Sequence, residues 1–313
     1  MDQKESENKN KEGEVQQKEE NSSQQNQMQN EKKDDKNDFN DFELQDQLLN
    51  NIQKQIAENT SYISGLENLQ NLEEEYEQNQ IFLMKIKNLK ERYPCIRKIR
   101  GDGSCFYRAY LFSIFEQIAV QNDKELYQKV LKLLQDSKQY LMNAGFEEIV
   151  IEDFLETLIE QFKILEKENV GIDEVLSIFL DKNIQEQLIM YARFLTSGYL
   201  KTNAILFENY IFDYNGIEDY CNKEVDPPDR EADQVQMIAL ISYLQVPIKI
   251  IYLDQNVQYQ EGQEMILPED ANNVKATLLY RPGHYDLLYS KQTIQNNQHQ
   301  GQISQQQQEK QQK

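Results

Sequence analysis

Hydrophobic residues are sparse at both ends of the chain and dense between them. Residues 1–40 hold few large apolar side chains, and the sequence from Lys291 onward is rich in glutamine. Segments of this kind cannot bury enough apolar surface to offset the entropy lost on ordering. The pattern predicts a disordered acidic and polar tail over 1–40, a folded region over 41–290 and a disordered Gln-rich tail over 291–313. The folded length suits one large domain or two small ones.

Apolar residues recur at helical spacing through the first part of the folded region. Residues 41–92 are predicted to form N-terminal helices, the second being an amphipathic stretch from about Leu66 to Tyr93 that Pro94 ends. Residues 95–100 are a short extended link. A further helix begins near Cys105, and its apolar face is formed by Tyr110, Leu111, Phe112, Phe115 and Ile118.

The remaining sequence changes from helical to mixed character. Three amphipathic helical segments are predicted between Asp123 and Leu200, punctuated by Gly145, Gly171 and Gly198. They are followed by a helix over 232–244, a strand over 247–253, and a hairpin of strands 277–280 and 284–289. The predicted fold class is α/β (α+β), with a small twisted sheet flanked by a large helical region.

The net charge and the cysteine content limit the kinds of partner and site that this protein can have. The net charge of −21 argues against nucleic acid and disfavours an anionic membrane surface, whereas a basic protein surface is a natural partner. Cys95, Cys105 and Cys221 show no disulfide or zinc-like spacing, so neither a metal nor a cofactor is expected. No apolar leader or long apolar run is evident. We therefore expect an intracellular protein with reduced thiols, in the cytoplasm or the nucleus.

A turn that contains two glycines places a cysteine at the start of a predicted helix. In the run from Gly101 to Ala109, Ser104 is the expected N-cap and Cys105 the first helical residue. The helix N-terminus favours an anion, and a cysteine so placed ionises more readily to the nucleophilic thiolate. The alternative is a buried, inert cysteine, which this stretch alone does not exclude. Cys95 and Cys221 are interpreted as packing residues.

Only one histidine is placed to serve this cysteine as a base. His299 lies in the Gln-rich tail, whereas His284 begins the last predicted strand. Asp286, two residues later, faces the same side of the strand and could accept the Nδ1–H of His284. The alternative is an exposed His–Asp pair on an edge strand. Because histidine is so scarce here, we favour a Cys–His–Asp arrangement.

Several segments, in order, resemble the otubain branch of the OTU-type cysteine proteases. The run from Asp102 to Ala109 resembles the nucleophile motif, and the run from Arg281 to Tyr289 resembles the terminal motif. Residues 195–200 and 238–240, and the approach through Tyr93 and residues 96–98, are also otubain-like. The resemblance covers roughly residues 41–289, with 41–92 as N-terminal helices and 93–290 as the core.

This resemblance implies a papain-like OTU fold that hydrolyses isopeptide bonds to ubiquitin. Cys105 matches the nucleophile, His284 the general base and acid, and Asp286 the residue that orients the histidine. Asp102 matches the acidic residue of the loop whose backbone N–H groups form the oxyanion hole, although it could simply form a turn beside Gly103. Ubiquitin and polyubiquitin chains are the implied partners, with proteasome-targeting chains expected as substrates.

The sequence departs from the family pattern in two places. Gly101 stands where otubains usually have Pro, so the turn before the cysteine is expected to be looser, whereas Ser104 replaces the usual Asn with another short polar side chain and is expected to have little effect. Residues 227–230 and Gln234 also differ from a region that usually carries Cys and His.

A non-catalytic role is the alternative function. Otubain-like proteins can bind ubiquitin and restrain ubiquitin-conjugating enzymes without catalysis, and residues 1–65 could fold on such a partner. A pure binder, however, has no need of Cys105, His284 and Asp286 together.

Overall fold

The computed structural model describes residues 60–167 and 170–295. The predicted tail over 1–40, the helical pattern that begins at Asp41, and His299 lie outside the described residues. The proposed domain boundaries stay predictions.

A six-stranded mixed sheet forms one layer of the described region. Its strands are β1 (Glu67–Asn68), β2 (Cys95–Arg97), β3 (Ile248–Tyr252), β4 (Gln263–Leu267), β5 (Ala276–Arg281) and β6 (His284–Tyr289). The spatial order is β1-β2-β6-β5-β3-β4. Only β3 and β5 run parallel, and the other neighbouring pairs are antiparallel. The predicted last hairpin is confirmed, with Arg281 opposite His284 across a turn in which Gly283 has φ of +72°.

Helices form most of the remaining structure. Their bounds are α1 (Leu72–Glu75), α2 (Gln80–Leu89), α3 (Cys105–Gln121), α4 (Lys124–Asn143), α5 (Glu148–Ile164), α6 (Ile172–Leu180), α7 (Lys182–Thr202), α8 (Ala204–Phe207), α9 (Ile217–Tyr220) and α10 (Gln234–Leu244). Short 3-10 turns occur at Leu69–Asn71 and Glu208–Tyr210, and a π turn at Cys221–Val225. None of the helices described here has the length and apolarity that crossing a membrane requires.

Helix α3 lies at the centre of the molecule, between the sheet and the other helices. The sequence predicts one apolar face, but α3 is buried on nearly all sides, as expected for a helix that is hydrophobic all round. Phe106 meets Tyr285 of β6 edge to face, with ring centroids 5.7 Å apart. Farther along α3, Phe115 packs against Phe162 and Phe179 in the same geometry. Helix α3 is therefore held by packing against β6 and against α5 and α6.

Several sequence predictions about secondary structure were wrong. The stretch from Leu66 to Tyr93 is not one helix but contains β1, a 3-10 turn, α1 and α2. The side chains of Asn68 and Asn79 accept backbone hydrogen bonds there and start new turns. Strand β4 was missed, and residues 291–295 are helical, with Ile294 packed against the core.

Candidate active site

Cys105 is the first residue of α3, as the sequence predicts, and it is almost fully buried. Ser104 occupies the N-cap position, but its hydroxyl makes no capping hydrogen bond. That hydroxyl instead donates to the carbonyl of Pro228 at 2.8 Å. The first turn of α3 is therefore left without a side-chain cap, which leaves its N–H groups directed toward the space beside Cys105.

His284 and Asp286 face the same side of β6, as their spacing predicts. Nε2 of His284 lies 2.9 Å from Oδ1 of Asp286. The prediction that Asp286 accepts from Nδ1 was wrong, because strand spacing fixes which face a ring occupies but not which nitrogen it turns inward. Nδ1 lies on the side of Gly101, where an added Cβ would be 3.4 Å from it. The Cys105 side chain also lies close enough to the imidazole to raise the pKa of His284.

The edge-strand alternative for this pair was also wrong. β6 lies between β2 and β5, and Asp286 is fully buried. Its carboxylate accepts the backbone N–H of Ile99 at 2.9 Å and forms an ion pair with Arg281, with 2.6 Å between Nη2 and Oδ2. Arg281 also reaches Glu75 of α1 at 2.8 Å. The carboxylate is therefore held by three groups from three different segments.

These contacts set the charge of the pair. Burial alone would lower the pKa of His284, but its hydrogen bonds to Asp286 and Cys105 outweigh burial and raise the pKa to about 9. Burial alone would raise the pKa of Asp286, but the hydrogen bond from His284 and the charge of Arg281 hold it below its usual value. At neutral pH the structure therefore favours an imidazolium beside a carboxylate.

Asp102 shapes the loop before the cysteine. Its two carboxylate oxygens accept hydrogen bonds from Arg108 of α3, at 2.9 and 2.7 Å. Oδ1 also accepts the backbone N–H of Ser104 at 3.1 Å, which makes residues 102–104 an Asx-type turn. The turn-forming interpretation therefore fits the geometry, and it is compatible with a role in shaping an oxyanion hole.

Three arginines around the site received no role from sequence reasoning. Arg108 and Arg193 are buried, and Arg281 is mostly so. For Arg108 and Arg193 the sequence did contain a signal, because each is a cation inside an apolar helical stretch. Lys and Arg are almost never fully buried unless they are paired, so such a cation indicates a buried partner. The other cysteines are packing residues, as predicted. Cys95 is half-buried in β2, and burial raises the pKa of the enclosed Cys221 to about 11. Within the described residues, no group of three candidate metal ligands occurs.

A buried cysteine at a helix N-terminus, near a histidine and an aspartate on a central strand, is an arrangement typical of cysteine peptidases. Residues 54–290 match the family model described as Peptidase C65 Otubain. The chain therefore belongs to the otubain family, and it is a cysteine-type deubiquitinase.

Named relatives are similar over most of their length. The human ubiquitin thioesterase OTUB1 is 38% identical over 242 residues, which cover 76% of this chain and 86% of that protein. An ovarian tumor domain-containing deubiquitinating enzyme 1 of Arabidopsis thaliana is 32% identical over 258 residues, covering 77% and 84%. Human ubiquitin thioesterase OTUB2 is 30% identical over 216 residues, covering 69% and 90%.

Solved structures share the fold. A complex of h/ceOTUB1 with ubiquitin aldehyde and UBC13~Ub superposes with a TM-score of 0.72 at 31% identity, covering 80% of this chain and 98% of that one. The corresponding complex with UBCH5B~Ub also gives a TM-score of 0.72, at 32% identity and with the same coverage. The α/β OTU fold predicted from the sequence is therefore confirmed.

Proposed function

We propose that this protein hydrolyses isopeptide bonds to ubiquitin, with Cys105 as nucleophile, His284 as general base and acid, and Asp286 as the residue that orients His284. The observation that carries the proposal is that the fold brings these three side chains together. His284 is 284 − 105 = 179 residues from Cys105 in sequence, yet its ring lies 2.9 Å from Asp286 and close enough to Cys105 for that side chain to raise its pKa.

The geometry supports a two-stage acyl transfer. In the resting enzyme the thiol proton of Cys105 has already passed to His284, which gives a thiolate beside an imidazolium, and in the first stage the thiolate attacks the isopeptide carbonyl. His284 then protonates the departing lysine amine, which leaves a thioester on Cys105. In the second stage His284 takes a proton from water and the resulting hydroxide attacks the thioester, which regenerates the thiolate and the imidazolium and releases the carboxylic acid, whose proton is lost to solvent.

The carbonyl oxygen becomes negative in both stages. The loop over 101–104 and the uncapped first turn of α3 supply backbone N–H groups beside Cys105, where such an anion would form. Asp102 shapes this loop through Arg108 and does not need to touch the substrate.

An apolar surface supports a folded protein as the substrate. Four side chains near the end of α7 are between 62% and 84% exposed: Ile205, Leu206, Tyr210 and Phe212. Four large apolar side chains exposed within so short a stretch of sequence favour a protein-binding surface. The solved relatives are bound to ubiquitin aldehyde, so we assign ubiquitin to this protein as well. We propose proteasome-targeting chains as the preferred substrate, on the resemblance to otubains.

A panel of purified diubiquitins of different linkages tests the proposal. The wild type should cleave at least one linkage, and Cys105→Ala should cleave none. Cys95→Ser is the matched control, because it removes a half-buried thiol outside the site and should leave cleavage unchanged. A wild type that cleaves no linkage would refute the proposal. Cleavage of other linkages without the proteasome-targeting type would refute only the chain preference.

Restraint of a ubiquitin-conjugating enzyme is the second candidate function. The solved relatives are described in complexes with UBC13~Ub and UBCH5B~Ub. Inhibition that survives Cys105→Ala but not removal of the N-terminal segment would support it. The deletion should end at residue 59 rather than 65, because buried Ile63 bridges to Ile99, whose N–H group binds Asp286.

A further inference from the structure

Arg193 of α7 is fully buried, and five oxygen atoms lie within hydrogen-bonding distance of its two terminal nitrogens. Its Nη1 donates to the carbonyl of Val225 at 3.0 Å. Its Nη2 lies within 2.8–3.1 Å of four further acceptors, which are the Gly103, Pro228 and Arg230 carbonyls and the Ser104 hydroxyl. All five acceptors are neutral, and they belong to two loops.

One of these loops directly precedes Cys105. The carbonyl of Gly103 and the hydroxyl of Ser104 lie there, the other three acceptors belong to residues 225–230, and the two hydrogens of Nη2 are shared between both segments. Ser104 closes the arrangement by donating to Pro228. The guanidinium therefore connects the loop over 101–104 with the segment over 225–230 through hydrogen bonds.

The two loops are also fitted together sterically. Gly103 has φ of +79°, and a Cβ on it would lie 2.2 Å from the carbonyl oxygen of Asp229. The loop before Cys105 can therefore approach the neighbouring segment only because residue 103 has no side chain. A shift of residues 225–230 would displace the backbone beside Cys105.

An arginine suits this position for its shape. Its planar fork donates in several fixed directions at once, whereas an ammonium is a compact point charge. The ring of Tyr107 lies 4.4 Å from the guanidinium carbon and covers its face. A residue that only filled this space could be apolar, since well-packed apolar groups often replace buried charges without loss of stability.

We propose that Arg193 is a positioning residue, which holds the loop over 101–104 in the shape that stabilises the oxyanion during isopeptide hydrolysis. This inference rests on the proposed function. Arg193 acts through the loop, and the contacts of His284 with Cys105 and Asp286 do not pass through it. Loss of Arg193 should therefore impair acyl transfer much more than the reactivity of the thiol.

Two reactions of Cys105 separate these effects. Hydrolysis of diubiquitin needs both the thiolate and the oxyanion hole, whereas alkylation by iodoacetamide needs only the thiolate. For Arg193→Met we expect kcat to fall about 100-fold, as when oxyanion-hole donors are lost. KM and the alkylation rate of Cys105, followed by mass spectrometry of its peptide, should change less than about 3-fold on the same reasoning.

Two further variants complete the experiment. Arg193→Lys keeps the charge but cannot reach all five acceptors, so its kcat should be intermediate. Lys85→Met is the matched control, because Lys85 is an equally buried cation that pairs with Asp254 at 2.6 Å. It should retain wild-type kcat, and circular dichroism should show folded protein for all variants.

The outcomes are distinct. An unchanged kcat in Arg193→Met, or an alkylation rate that falls in parallel with kcat, would overturn the inference. If Arg193→Met does not fold, the same comparison on Arg193→Lys decides, with a lower kcat at constant alkylation rate as the supporting result. A wild type that cleaves no diubiquitin would refute the proposed function first, and the inference with it.

Discussion

Asp286 is the residue on which the charge of the site depends. It is fully buried, yet the imidazole of His284, the Ile99 N–H group and the Arg281 guanidinium keep it ionised. An ionised carboxylate in that position stabilises the imidazolium form of His284. The arrangement therefore controls which proton is available beside Cys105 over the physiological pH range.

Replacement of Asp286 by asparagine should change the pH profile of the enzyme. The pKa of His284 is raised to about 9, so wild-type activity should fall on the alkaline side near that pH. Asp286→Asn removes the negative charge, which lowers the pKa of His284 and moves the alkaline limb to lower pH by at least about one unit. We also expect kcat to fall on the order of 100-fold.

The measurement is kcat and kcat/KM for a fluorogenic ubiquitin substrate between pH 5 and pH 10. Asp173→Asn, on the exposed side of α6, is the control and should reproduce the wild-type profile. An alkaline limb that stays in place in Asp286→Asn would show that Asp286 does not set the charge of His284.

Gly101 provides a second prediction at this scale. Its φ is not in the left-handed region, and an added Cβ would make ordinary contact with His284, 3.4 Å from Nδ1. Gly101→Ala should therefore raise the free energy of unfolding by about 0.4–1 kcal/mol, because it restricts the unfolded chain. Diubiquitin cleavage should not decrease.

Chemical denaturation of the two proteins measures this effect. Gly283→Ala is the contrasting variant, since φ there is +72° and alanine would be strained. It should lower the free energy of unfolding. A loss of stability in Gly101→Ala would mean that the turn needs glycine.

The positions of individual side chains could be predicted from the sequence only where the local chain determines them. The shared face of His284 and Asp286 follows from a separation of two residues, and the placement of Cys105 follows from the turn before it. The inward nitrogen of the ring and the partner of the Ser104 hydroxyl depend on segments far away in sequence. Pro228 could not be assigned to Ser104 without the fold.

At the scale of elements, Gly198 shows how closely α7 and α4 pack. The sequence suggested that Gly198 interrupts a helical block, but it lies within α7. A Cβ there would be 2.5 Å from Cδ2 of Leu141 on α4. The glycine is therefore a contact point between helices and not a break.

Gly198→Ala should destabilise the protein. Relief of the overlap requires a movement of Leu141 or of the helices, which typically costs about 1–3 kcal/mol. Thermal and urea unfolding measure the difference. Gly65→Ala, where nothing lies within 4 Å of the added Cβ, should stay within about 0.5 kcal/mol of the wild type. Equal stabilities for the two variants would mean that the helix contact relaxes freely.

Elements with local signals were predicted well, and those that depend on neighbours were not. The β5–β6 hairpin has its own Pro-Gly turn, and α10 begins at Asp233 with a capping box. β4 is a half-exposed edge strand that forms because β3 lies beside it. The apolar periodicity of 66–93 resembled one helix because two asparagine caps are weaker signals than seven apolar residues.

At the scale of the whole molecule, charge is the dominant property. The net charge is −21, and fields of this kind accelerate association with basic surfaces and are screened by salt. For a substrate carried on a basic protein, kcat/KM should fall at least about 3-fold between 0.05 and 0.5 M salt, while kcat changes little. Steady-state kinetics at several ionic strengths measure it. An equally large effect on kcat would assign the salt dependence to the chemistry.

The two-part site is a whole-molecule property that periodicity could not predict. The scarcity of histidine and the resemblance to otubains connected Cys105 with His284. The hydrogen bonds of Arg193 connect α7 with two segments that are distant in sequence. No local sequence pattern predicts such a contact.

The position of β6 in the sheet has a consequence for synthesis. β6 is the last strand of the described chain, but it lies between β2 and β5, near the middle of the sheet. Until it has left the ribosome, no strand joins the β1–β2 pair to the rest of the sheet, and Cys105 lacks the histidine proposed as its base. Domains fold as units during synthesis. In a nascent chain of this protease, the Cys105 thiol would therefore be unreactive toward substrate until β6 is inserted into the sheet. The order of translation would then keep the incomplete enzyme inactive.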